Sequence, residues 1–158
     1  MVKTHAMKTH ALLLFLHLFG ATVWVGGMFF VHVCLRPAAM ATLDPSLRLT
    51  LWQAVFLRFF RWVEISLALI LASGFGMFFR GGSVQVPPSW HVMMGLGLVM
   101  TAVFASILMG PYKAFRNAMA AGDISAAAAA QGRIRTRVLV NLVLGIVVIA
   151  VATLGLAV

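Results

Sequence analysis

Four unbroken apolar runs constrain this chain more than any other feature of its sequence. A membrane helix needs about 20 mostly apolar residues to cross about 30 Å of hydrocarbon. The first run covers about residues 11–33 (ALLLFLHLFGATVWVGGMFFVHV) and the second about 61–79 (RWVEISLALILASGFGMFF). The third, about 90–109 (WHVMMGLGLVMTAVFASILM), contains no charged residue. The fourth, about 138–158, holds Asn141 as its one strongly polar side chain. Strands of a membrane β-barrel would instead alternate in polarity over about 10 residues. The pattern therefore predicts an all-α fold, an integral membrane bundle of four transmembrane helices in a single domain, 1–158.

Composition closes off the alternatives. Of the 158 residues, 63% are hydrophobic and 9% charged, with a mean hydropathy of +1.05. A soluble domain carries roughly 25% charged residues and 45–50% apolar ones, and disorder requires low hydrophobicity. The net charge of +9 would suit nucleic acid only if the cations formed a face, but they lie between the apolar runs. The first run follows Lys3 and Lys8, as a signal peptide would. It is too long for a signal core and contains two histidines and a tryptophan, so a retained helix is expected. Cys34 stands alone and fits no paired zinc or redox spacing.

The cations instead mark orientation. With four spans, the N-terminus, the second loop and the C-terminus share one side, which carries Lys3, Lys8 and Arg80. Nine cations fall on the other side, among them Arg36, Arg58, Arg61, Arg116 and Arg135. The positive-inside rule then places both termini outside, in the periplasm of a bacterial inner-membrane protein. Asp123 or Ser125 can cap a helix in the third loop, and Pro87-Pro88 before Ser89 and Trp90 reads as a helix start.

Few side chains remain for chemistry. Ionisable groups within spans are costly and are functional candidates by default: His17, His32, Glu64 and His91. Glu64 lies three residues after Arg61, which predicts an ion pair along one helix face. His10, His17, Trp24 and Val31 recur every seven residues and so share a stripe of the first helix, with Gly20 and Gly27 beside it. In the third span Gly95 lies one turn inside His91. Two histidines on parallel spans, each with a glycine a turn deeper, suit a haem between helices: imidazoles supply axial nitrogen and missing side chains leave room. The same glycines also serve close helix packing with no ligand. His91 lies nearer its span's end than His17, and His10 matches it better in depth, so the first-helix ligand stays open between His10 and His17. Thioethers favour Cu(I), which gives a copper alternative from His10, His91, Met93 and Met94, although methionine is also ordinary apolar filler. No hydrolase nucleophile, phosphate loop or dinucleotide fingerprint is present.

The stretch LHLFGATVWVGGMFF (Leu16 to Phe30) resembles the CopD family of inner-membrane proteins, named for copper resistance, and the related HemJ-type protoporphyrinogen oxidases. RFFRW (Arg58 to Trp62), SGFGM and SWHVMMGL (Ser89 to Leu96) fit the same pattern in order. The resemblance implies a membrane bundle in which the histidine matching His17 binds haem b in HemJ-like members, with His91 as the natural second site. CopD itself is associated with copper uptake. HemJ-like proteins carry a lysine two residues after the third-helix histidine, where this chain has Met93, which argues against protoporphyrinogen oxidation. The leading expectation is a b-type haem protein ligated by His17 and His91, lined by Gly20, Gly95 and Trp24, with Arg80 on the propionates and an electron-transfer or oxidoreductase role. Its partners would be the bilayer and a quinone or periplasmic redox protein, with a homo-oligomer allowed and nucleic acid not. The alternative is copper transport through His and Met ligands.

Overall fold

The computed structural model describes residues 2–80 and 88–154, with side chains described for 7–79 and 88–154. Four helices within these residues are long and apolar enough to cross a membrane: Met7–Thr42 (span 1), Pro45–Phe79 (span 2), Pro88–Ala120 (span 3) and Ile124–Leu154 (span 4). No strand occurs among the described residues. Each helix outruns its apolar core. The 35 residues of span 2 rise about 52 Å at 1.5 Å each, so its basic, aromatic N-terminal part projects beyond the hydrocarbon.

The turns follow from local chemistry. Spans 3 and 4 are joined through Gly122, the one described residue with a positive φ (+70°). There the Gly122 N–H meets the Met119 carbonyl at 3.2 Å and the Asp123 N–H meets the Ala118 carbonyl at 2.9 Å, the paired bonds of a Schellman ending. Asp123 then caps span 4 by accepting the Ala126 N–H at 2.9 Å. The expected cap is thus real, and the helix it starts runs without a break into the last apolar run.

Helices in lipid gain nothing from hiding apolar surface from each other, so small residues and close packing hold them. Spans 1 and 2 run antiparallel along a line of glycines. A Cβ at Gly20 would lie 2.9 Å from the Ser66 carbonyl, and one at Gly27 would strike the Phe59 ring at 2.5 Å. Spans 3 and 4 form the second close pair, and the end of span 3 folds back on span 4 as well. An aromatic ladder joins the pairs. Phe56 and Phe60 stack on span 2 with centroids 5.2 Å apart, and Phe104, Tyr112 and Phe115 of span 3 meet them edge-on. Large apolar side chains such as Phe15, Phe30, Val143 and Ile149 stay exposed, as lipid-facing residues should.

Three turns are π-helical: Thr22–Gly26, Val31–Leu35 and Leu108–Tyr112. The last contains Pro111. In an i→i−5 ladder the N–H that Pro111 lacks would have met the Ser106 carbonyl. Arg137 of span 4 takes that place, with one guanidinium nitrogen donating to the Ser106 carbonyl at 2.7 Å and to its Oγ at 3.3 Å. One turn deeper, Asn141 Nδ2 donates to the Met100 carbonyl at 3.1 Å, while its Oδ1 is buried without a partner.

Candidate metal centre

His17 is the candidate with a built environment. It sits on span 1 facing Ile70, Ser73 and Gly74 of span 2. Its Nδ1 lies 3.2 Å from the Ile70 carbonyl and 3.1 Å from Ser73 Oγ. A carbonyl only accepts, so Nδ1 carries the proton. The Ser73 hydroxyl spends its own hydrogen on the Leu69 carbonyl, which leaves Ser73 Oγ as a second acceptor for the same N–H. In the neutral ring Nε2 then keeps its lone pair. A ring N–H anchored on a backbone carbonyl, with the other nitrogen free, is how metal-ligating histidines are commonly oriented. Gly74 allows it: a Cβ there would be 3.3 Å from His17 Cε1, so the imidazole lies directly on the span 2 backbone.

His91 is less enclosed. It is exposed, and its ring meets Phe78 edge-on with centroids 5.6 Å apart. Phe78 is one turn beyond Gly74, so the two imidazoles contact span 2 about 6 Å apart along its axis. No hydrogen bond or ring contact joins them among the described residues. Both therefore share span 2 as a neighbour, a relation that spacing within spans 1 and 3 does not reveal. Met93 and Met94 are half-buried beside His91, and His10 is exposed.

The other candidates divide between packing and open space. The room expected at Gly20 is filled by the Ser66 carbonyl and the Ile70 side chain, so this glycine serves helix contact. A methyl group added at Gly95 or Gly97 would meet nothing within 4 Å. Trp24 is buried in the core, edge-on to Phe104. Arg80 ends its helix, but its side chain lies outside the described residues. The expected Arg61–Glu64 ion pair does not form within 4.0 Å, and both side chains are exposed. No group of three His, Cys, Asp or Glu that could hold a metal occurs among the described residues, so a metal here would need thioether or backbone ligands beside imidazole.

Sequence reasoning missed Ser73, Gly74 and Ile70 as the partners of His17. The small-residue stretch SGFGM was the available signal, since a serine and two glycines in an apolar span mark close approach.

Residues 53–154 match the family described as Copper resistance protein D, CopD. The chain belongs to the CopD family. The match runs from span 2 to span 4 and takes in Ser73, Gly74, His91, Met93, Met94 and Asn141, while His17 lies outside it. Membership makes this a multi-pass membrane protein related to copper resistance. No curated protein and no solved structure matches the chain.

Proposed function

We propose that this CopD-family chain handles copper within the membrane, with His17 as a nitrogen ligand for Cu(I) as cargo. One observation carries the reading: Nδ1–H of His17 is committed to the Ile70 carbonyl and Ser73 Oγ, which leaves the Nε2 lone pair available to a metal. The family's description supplies the metal. Soft thioethers suit Cu(I). Met93 and Met94 follow His91 on span 3, and the His91 ring meets Phe78 one turn from the Gly74 that faces His17. His91 of span 3 is the second imidazole that contacts span 2.

Haem b is the second reading, favoured by the open space beside Gly95 and Gly97. The donor chemistry of His17 fits one axial ligand, and a haem held there would supply one-electron redox chemistry. Gly20 offers it no room.

One preparation separates the two. The full chain, expressed with ample copper and haem, is purified in detergent; its absorption spectrum is recorded and Cu(I) is titrated against a chromophoric chelator. Cu(I) affinity is expected to fall at least 10-fold in His17→Ala and, on the lower side of the usual 10–100-fold loss for an orienting partner, about 10-fold in Ser73→Ala. Met93→Leu/Met94→Leu is expected to weaken it further. Unchanged affinity in His17→Ala would sink the copper reading. A Soret band that vanishes in the same variant would establish haem instead.

A further inference from the structure

At the cation-rich end of the bundle, far from His17, spans 1, 2 and 4 leave a small cleft between them. Its polar lining is His32 and Arg36 of span 1 with Gln131 and Arg135 of span 4, and Trp52 and Phe56 of span 2 form an apolar wall. His32 sits in the π-helical turn Val31–Leu35 and shares the cleft wall with Arg36 and Arg135. No acidic side chain lines the cleft. Neither guanidinium has a hydrogen-bond or ion-pair partner among the described residues, whereas Arg137, two residues further along span 4, is committed to Ser106.

Two unpaired arginines converging from different helices leave positive charge without its complement. The enclosed part of the cleft holds about 20 Å³, little more than one water-sized group needs. That excludes a whole nucleotide or a metabolite and leaves room for a phosphate oxygen entering from the surface. The apolar wall of Trp52 and Phe56 suits a molecule that is apolar on one side of its phosphate. Basic pockets between transmembrane helices at the membrane's cytoplasmic surface bind anionic head groups, and the positive-inside rule assigns this end to that surface.

We infer that the cleft between His32, Arg36 and Arg135 is a binding site for the phosphodiester head group of an anionic phospholipid. The guanidiniums of Arg36 and Arg135 hold the phosphate oxygens, Gln131 adds an amide donor, and the acyl chains lie along the outer faces of spans 1 and 4. Occupancy ties the π-helical end of span 1 to span 4.

The test uses the full chain in mixed micelles, with phosphatidylglycerol or phosphatidylcholine titrated and retained lipid counted by native mass spectrometry. Wild type is expected to retain phosphatidylglycerol in preference to phosphatidylcholine. Arg36→Gln/Arg135→Gln is expected to lose roughly 20- to 30-fold in phosphatidylglycerol affinity, about fivefold for each arginine removed. Arg58→Gln/Arg61→Gln removes equal charge from the exposed outer face of span 2 and is expected to lose less than about threefold, since screening limits charges away from the cleft. Should the first double variant not fold, Arg135→Gln alone, at an exposed position, carries the test with about a fivefold loss. Equal losses in the two double variants would reduce the effect to diffuse surface charge and overturn the site. So would equal retention of phosphatidylcholine, or displacement of the lipid by millimolar inorganic phosphate, which would mark a free-anion site.

Discussion

Gly20 and Gly95 occupy matching places in the sequence, each within about a turn of a histidine, yet the same substitution should act oppositely at the two. A methyl group at Gly20 would lie 2.9 Å from both the Ser66 carbonyl and Ile70 Cγ1. Ordinary contact begins near 3.4 Å, so about 0.5 Å must be found. The Ser66 oxygen belongs to a helix backbone and cannot rotate away, which forces spans 1 and 2 apart. Overpacking of this kind costs about 1–3 kcal/mol. At Gly95 nothing lies within 4 Å, and Gly→Ala there gains only the helix propensity of about 1 kcal/mol. Both variants share that gain, so their difference isolates the clash. Gly20→Ala should be about 1–3 kcal/mol less stable than Gly95→Ala. At about 2–4 °C per kcal/mol for a chain of this length, the melting temperatures should differ by roughly 2–12 °C in ligand-free detergent samples. Melting temperatures within a degree of each other would refute the reasoning and return Gly20 to the role of a space-maker. Because Ile70 also supplies the carbonyl that anchors His17, Gly20→Ala should weaken Cu(I) binding as well.

Two further substitutions test the remaining structural arguments. Arg137→Ala leaves the Ser106 carbonyl unmet and should cost about 1–3 kcal/mol; adding Pro111→Ala restores the missing N–H and should recover at least half of that in a double-mutant cycle read by thermal unfolding. Gly122→Ala places a side chain at a φ of +70° and should cost about 1–2 kcal/mol, measured the same way, with no change in metal or lipid binding.

Much of the fold was legible because insertion into lipid is decided segment by segment. Each span's apolar length is a local property, and Asp123 and Gly122 act on bonds within a few residues. The candidate site was legible only as an inventory. Periodicity placed His17 and Trp24 on one stripe, and the structure does bury Trp24 while leaving His17 half-buried, but the π-helical turns after residue 21 shift the phase on which a simple heptad relies. The Arg61–Glu64 pair fitted helical spacing and still does not form, since spacing brings two side chains within reach without supplying the desolvation or neighbours that would hold them together.

The sequence by itself determined that the chain is a four-helix membrane bundle, that its charge is concentrated at one end, and that a few histidines and methionines are the groups available for chemistry. Tertiary structure decided which of those groups have partners. His17 acquires its tautomer from the Ile70 carbonyl, 53 residues away, and Arg137 completes a turn broken by Pro111. Arg36 and Arg135 meet only where spans 1 and 4 converge. Hydropathy is additive along a segment and can be read in order, whereas a hydrogen bond or a charge cluster depends on which helix faces are brought together.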